Sequence, residues 1–571
     1  MEPQLIDTGR GFTIKYKGRH LYSSVDPLSS ALDQVRAASI PPLTLIFVPS
    51  LGLGYGLREL LDKLPVDSHV LCVEADQRLM GLALGAGASL LPRDPRLTVI
   101  RTEDPVAAVR SVQAIGLGSF RRVQPLYLCG GHRLYPDVYR RMLWALEEEI
   151  RLFWQNKLTL IHMSRLWLAN LFTNLVCLDR DLSCLATDKP VLVAAAGPSL
   201  EESLGLIRAA RAELLLLAAD TALPTLVEAG LAPDWICCLD AQLANLQDFI
   251  PYRPTKSALL CDLTAPPQLV RLFRGRAYFF SSRFHPLKLF ERLERAGLLP
   301  TPFPPLGCVG VAAVHAALGL TSGPVIVTGL DFSYSGGRTH ARGTAADRAM
   351  HAASSRFLPP GSLMFQAIQE RPLLRLKGKE GTRVLSDLVL QSYSLQLQSQ
   401  ASCGRVYDLG RRGLLTGGRP LASESELLSL LQAPAGAARS KPAPRPGIRA
   451  EAAEGFLTAE TQLLGRCAEL LRSRLAEAEM DPVSLPQELA ECLEALDYLT
   501  LHLPADPWGG SSSGRRTAGR SFLVEALRLC LAYQERLRRL RPMLGPGHPM
   551  LGPERALPQG RGTPCWGQGA P

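Results

Sequence analysis

Apolar and polar positions along this chain follow two rhythms. Near the start, FTIKYKGRHLYSS (12–24) alternates at period two around a glycine, the pattern of a β-hairpin. TLIFVPS (44–50) is an unbroken run of strand-forming residues, followed by a glycine-rich turn. The helical pattern LRELLDKL and a second run, HVLCVEAD, complete one βαβ unit, and LTVIRT and PLYLCGG extend it as further strands. From Tyr135 to about Leu182 the spacing is helical, with almost no Gly or Pro after Pro136. This helix sets Asn170 and Asn174, four apart, on one face.

From about 188 to 420 the strand–helix alternation returns. VLVAAAG, ELLLLAAD, DWICCLDA, KSALLCD, RAYFFSS and PVIVTGLD read as strands, and SLEESLGLIRAA and TALPTLVEAG as helices between them. Strands separated by helices imply a mainly parallel, doubly wound sheet. PAGAARSKPAPRPG (434–447) has the composition of a linker, three amphipathic helical segments follow, and the Gly/Pro-rich stretch after Pro542 is expected to be disordered. No repeat of 20–50 residues is present. The fold class is therefore α/β. A Rossmann-like domain (1–150) precedes a helical connector (151–188) and a central α/β domain (189–433). A linker (434–449), a helical C-terminal domain (450–541) and a tail (542–571) complete the chain.

Composition narrows the function class. At 571 residues the chain has room for about three to four domains, and 46% hydrophobic with 20% charged residues excludes disorder over most of it. Lys+Arg 63 against Asp+Glu 53 leaves a mild, dispersed +10, without the dense basic face of a nucleic-acid binder; an anionic small substrate suits it equally. The 13 cysteines contain no C-x-x-C pair, so neither zinc ligation nor a disulfide framework is expected, and buried thiols in a reducing cytoplasm are. No signal peptide and no apolar run of about 18 residues is seen, so a cytoplasmic protein without a membrane span is expected.

Four features carry chemistry. Gly52, Gly54 and Gly56 form a G-x-G-x-G turn between a strand and a helix, and Glu74 ends the next strand. That is the layout of a nucleotide or adenosyl-methionine site; it is equally that of a tight β-to-α turn. Gly197-Pro198-Ser199 follows a strand and opens a helix, whose free N–H groups and positive dipole end suit an anion; a plain helix cap is the alternative. Asp220 and Asp240 end the next two strands, and in a doubly wound sheet such ends line one crevice, where two acids suit a ribose, a base amine or a metal ion. The fourth is the loop from Gly329 to His340. It holds Asp331 and Arg338, with Arg342 just beyond, and places His340 on a glycine-rich loop suited to acid–base work, unlike His315 on an apolar helix.

AAAGPSL, then AADTALPTLVEAGLAPDWICCLDAQ, then VTGLDFSYSGGRTHARG, resemble the motility associated factor (Maf) glycosyltransferases and the relatives grouped with archaeal 6-hydroxymethylpterin diphosphokinase. PSLGLGYGLRELL, VEADQ and the stretch with Trp167, Asn170 and Asn174 resemble the regions preceding that core, so the likeness covers about residues 40–345. The resemblance implies transfer of a nonulosonic acid such as pseudaminic acid from a CMP-activated donor to Ser/Thr of flagellin, in support of flagellar assembly. It implies that Gly197, Pro198 and Ser199 hold the nucleotide and that Asp220 and Asp240 line the donor pocket. Asp331, Arg338, Asn170 and Asn174 would contact substrate, and His340 would be the catalytic histidine. The pterin kinase branch usually carries D-L-D-G at the strand ending near Asp240; here Asp240-Ala241-Gln242 stands, which favours the sugar-transfer branch. The competing expectations are an ATP-dependent diphosphokinase with Mg²⁺ held by Asp220 and Asp240, and a non-catalytic flagellin-binding assembly factor.

Overall fold

The computed structural model describes residues 2–87, 91–178, 180–250, 252, 256–432, 450–477, 483–503 and 517–544. The expected linker and nearly all of the expected tail lie outside the described residues. The chain divides into two compact units, Met1–Met163 with a short stretch from Leu501, and Ser164–Thr500 with the C-terminal remainder.

The first unit opens on three antiparallel strands, β1 (Gln4–Asp7), β2 (Phe12–Tyr16) and β3 (Arg19–His20). A parallel sheet follows, of β4 (Thr44–Pro49), β5 (His69–Glu74), β6 (Leu97–Arg101) and β7 (Arg122–Pro125), in the order β6-β5-β4-β7. The sequence placed the last strand a few residues later, at PLYLCGG. Leu126 and Leu128 are buried beyond the end of the strand, where Leu126 N–H still donates to Phe47 O (2.9 Å). β4 and β5 are buried at every position, as both faces of the sheet are covered.

The second unit is built on a nine-stranded parallel sheet: β8 (Val191–Ala194), β9 (Leu215–Ala219), β10 (Trp235–Cys238), β11 (Ala258–Asp262), β12 (Ala277–Ser282), β13 (Thr301–Phe303), β14 (Val325–Thr328), and, after a two-stranded hairpin of β15 (Leu374–Lys377) and β16 (Arg383–Ser386), β17 (Val406–Asp408) and β18 (Arg419–Pro420). The order is β13-β12-β11-β10-β9-β8-β14-β17-β18. The six strands read from the sequence are all present. β13, β17 and β18 were not read, being two or three residues long and without an apolar run.

Register brings the strand ends level: Ala194 pairs with Ala218 on one side and Thr328 on the other. Apolar clusters cover both faces, one around helix Val309–Leu320 and the other around helix Ser199–Ala210. The C-terminal helices Ala450–Glu477, Gln487–Ala495 and Arg520–Leu540 join this unit. They meet helix Lys288–Arg295 through the Arg292–Glu460 ion pair at 2.7 Å, with Glu460 2% exposed.

Candidate active site at the strand ends

From β8 the chain winds outward through β9 to β13, then returns to place β14 on the opposite side of β8. The C-terminal ends of β8 and β14 thus flank the switch point, where open α/β sheets bind ligands. Here the two chain segments stay hydrogen-bonded beyond the strand ends. Ala195 N–H donates to Thr328 O (2.9 Å) and Gly197 N–H to Gly329 O (2.8 Å). Gly329 has a φ of +70°, and a Cβ there would lie 1.9 Å from Ala195 O, so only glycine fits.

Ser199 begins the helix as expected, but its polar groups face inward. Its N–H donates to Asp331 Oδ2 (3.0 Å) and its hydroxyl to Asp331 Oδ1, and the residue is 1% exposed. Asp331 therefore sets its carboxyl against the positive end of helix Ser199–Ala210. Ser199, expected to hold the nucleotide, and Asp331, expected to contact substrate, thus hydrogen-bond each other in this structure. Burial pushes the Asp331 carboxyl up, opposed by Ser199 and by the charge of Lys379.

Lys379, which the sequence analysis missed, comes from the β15–β16 hairpin and donates to Asp408 Oδ2 (2.7 Å) and Gly410 O (2.8 Å). A Cβ on Gly410 would sit 3.2 Å from each of Ser199 Oγ, Lys379 Nζ and Asp408 Oδ1, so these groups surround one point. No spacing rule joins a lysine on a hairpin to a serine far upstream.

The His340 loop closes over the same strand ends. Ala341 N–H donates to Ala196 O (2.8 Å), Arg342 N–H donates to Glu201 Oε1 (2.8 Å), and the Arg338 guanidinium pairs with the same carboxylate. Thr225 Oγ1 donates to Arg342 O (2.7 Å), tying the loop to the helix after β9. His340 is half-buried with Nδ1 3.2 Å from Thr339 Oγ1; burial lowers its pKa, so the imidazole is neutral at pH 7.

Asp220 lies at the end of β9, 1% exposed, and accepts from Thr221 N–H (2.8 Å) and from Asn245 Nδ2 (3.4 Å). Burial raises its pKa to about 6. Asp240 is exposed and accepts from Gln242 N–H (3.0 Å). A residue not foreseen, Asp248, is buried nearby, and burial with the charge of Asp220 raises it to about 7. Among the described residues no three His, Cys, Asp or Glu side chains converge as a metal site; Asp220 and Asp240 each accept from a backbone N–H of their own loop.

Asn170 and Asn174 reach the site through its backbone. Asn170 Nδ2 donates to Ala241 O (3.0 Å) and Thr264 O (2.9 Å), and Asn174 Nδ2 to Leu263 O (2.9 Å) and Ala265 O (2.8 Å). Their shared helical face is as read, but the amide nitrogens position the loops after β10 and β11 and are not held out to a ligand.

The glycine turn of the first unit is also filled from within. Gly52 has a φ of +54°, and a Cβ there would meet the Tyr22 hydroxyl at 2.3 Å, which accepts from Leu53 N–H (2.9 Å). Gly54 and Gly56 likewise have positive φ. Glu74 accepts from Ser50 Oγ (2.8 Å), Leu51 N–H (3.0 Å), Asp76 N–H (3.0 Å) and Tyr139 Oη (3.3 Å). Glu74 thus holds its own loop in place.

Residues 166–337 match the 6-hydroxymethylpterin diphosphokinase MptE-like family. Over 425 residues the chain is 30% identical to a protein of Treponema pallidum (strain Nichols) described as uncharacterised, covering 72% of this chain and 73% of that one. A second uncharacterised protein of the same organism is 32% identical over 98 residues, 16% of this chain and 47% of that protein. Among solved structures the fold is similar to that of the Maf glycosyltransferase from Magnetospirillum magneticum AMB-1, with a TM-score of 0.55, 14% identity, and coverage of 95% of this chain and 89% of that one. The chain thus belongs to one family with the Treponema pallidum protein of 425 aligned residues, with a core similar to the MptE-like family and a fold shared with Maf glycosyltransferase.

Proposed function

We propose that this protein is a glycosyltransferase that moves a nonulosonic acid from a CMP-activated donor to Ser/Thr hydroxyls of flagellin. The observation that carries the reading is the group of polar residues gathered at the switch point. The Gly-Pro-Ser turn, Asp220 and the His340 loop stand at level strand ends of one parallel sheet, in a chain whose fold is shared over 95% of its length with a Maf glycosyltransferase.

In this reading the Ser199–Asp331 pair is scaffold, and Arg338 and Arg342, arranged around Glu201, meet the phosphate or the sugar carboxylate. CMP leaves with charge growing on its phosphate, which fixed cations stabilise. The neutral His340 imidazole takes the proton of the attacking hydroxyl. No step is routed through a metal ion.

A second reading, pyrophosphoryl transfer from ATP to a hydroxymethylpterin, is favoured by the MptE-like match over residues 166–337. The two separate in one assay. The transferase releases CMP from the sugar nucleotide and adds the sugar mass to flagellin; the kinase forms AMP from ATP.

A further inference from the structure

The hairpin of β15 and β16 has one face on the core and one in solvent. Leu376 and Val384 pack against the apolar cluster around helix Val309–Leu320. The alternate positions Arg375, Lys377 and Arg383 are exposed. Register sets Lys377 directly opposite Arg383. Gly378 N–H donates to Thr382 O (2.7 Å), so the next pair inward, Lys377 with Arg383, is a non-hydrogen-bonded one, in which Cα atoms stand about 4.5 Å apart and side chains are closest. Like charges placed directly opposite repel. Among the described residues none of these three side chains has an ion-pair or hydrogen-bond partner, and Glu380, the one acid between 374 and 386, lies in the tip beyond the paired residues.

The same alternation turns the backbone N–H and C=O groups of Arg375 and Lys377 away from β16. Among the described residues no third strand joins that side of the hairpin. The other side is covered: Tyr334 N–H donates to Leu385 O (2.8 Å) and Ser386 Oγ to Phe332 O (2.8 Å), which binds β16 to the His340 loop. We propose that β15 receives an extended acidic segment of a partner protein as a third strand, with alternate carboxylates of that segment facing Arg375 and Lys377. An open edge takes a peptide through main-chain hydrogen bonds, and opposite charges across the strands select it. A cation that merely guards an open edge is needed on the edge strand alone. Arg383, on the covered strand, crowds Lys377 and adds its charge to the same face. Nothing aromatic between 374 and 386 offers a nucleobase a stacking surface, and no large apolar side chain is exposed there to enter a bilayer. The inference rests on the proposed function for one point only, that the segment belongs to the protein acceptor. At about 4.8 Å per strand spacing, the docked segment lies about 14 Å from the backbone of the His340 loop, the span of about four extended residues.

The test is fluorescence anisotropy of a labelled eight-residue peptide of alternating Glu and Thr, titrated with the full chain. Two N-methylated versions of the peptide block its amides at alternate residues, one set in each. The plain peptide is expected to bind, and binding is expected to be lost in one N-methylated version and kept in the other. Lys377→Glu is expected to weaken it about tenfold, because one attractive cross-strand contact becomes repulsive. That variant also turns a like-charged pair into an opposite one, so its Tm should equal or exceed that of the unaltered protein. Arg383→Glu makes the same swap from the other strand and takes its place if the first variant does not fold. Absence of binding, equal binding by the variants, or an equal response to the two N-methylated versions overturns the proposal. Tighter binding of an oligothymidylate or of phosphatidylglycerol vesicles, abolished by the same variants, also overturns it, by assigning the face to nucleic acid or to a membrane. The measurement uses no sugar donor and no turnover, so its failure leaves the transferase reading intact. Conversely, absence of CMP release beside peptide binding counts against that reading alone.

Discussion

Replacing Asp331 by Ala removes the acceptor of both the Ser199 N–H and the Ser199 hydroxyl, in a place where neither reaches water. It also strips Lys379 of one of the carboxylates that face it. A hydrogen bond to a charged acceptor contributes about 1.5–3 kcal/mol, and a buried donor left unpaired costs a similar amount, so the loss is expected to be about 3–5 kcal/mol. Ser199→Ala removes only the hydroxyl and should cost about 1–2 kcal/mol. Because the two side chains share one hydrogen bond, the double variant should be less destabilised than the sum of the singles by about 1–2 kcal/mol. The assay is urea unfolding of the four proteins, followed by tryptophan fluorescence, with the slopes checked for constancy. Additivity within about 0.3 kcal/mol, or an Asp331→Ala loss below about 1 kcal/mol, would refute the claim that this pair welds β8 to β14.

Three further outcomes are expected. Arg292→Ala leaves Glu460 buried without its cation, with only the Tyr498 hydroxyl donating to it, and should cost about 3–5 kcal/mol in urea unfolding, whereas the Arg292→Met, Glu460→Leu double variant should recover most of it. His340→Gln should abolish sugar transfer while leaving CMP binding, read by calorimetry, within about twofold; in the unaltered protein, activity should persist to lower pH than an ordinary histidine would allow, since burial lowers the pKa of the imidazole. Asp220 and Asp248 both have folded pKa values raised above 3.8, so the fold binds protons that the unfolded chain does not. Their contribution is present at low pH and is lost as pH rises through about 6 and about 7. The stability of Asp248→Asn relative to the unaltered protein should therefore increase from pH 5 to pH 8, and a constant difference would contradict the assignment.

The doubly wound sheet was legible because strands buried on both faces must be continuous apolar runs, as at Val191–Ala194 and Trp235–Cys238. β13 and β18 were not, since three or fewer residues, with prolines in both, leave no period to read. Gly197, Ser199, Asp220 and His340 stood out in the sequence because each ends a strand or sits on a glycine loop. What those groups do with their hydrogen bonds was hidden. Ser199 and Asp331 are 132 residues apart, and the position of Glu74 alone does not tell whether it faces a ligand or its own loop. Lys379 and Asp248 carry no local signature, since a lone charge in a turn reads as a solvated one.

The most direct measurement incubates the purified protein with a CMP-activated nonulosonic acid and unglycosylated flagellin, and reads CMP by chromatography and flagellin by intact mass. The proposed function requires equimolar CMP release and mass increments of one sugar residue, both absent in His340→Gln. No CMP release, with AMP formed instead from ATP and 6-hydroxymethylpterin, would contradict it.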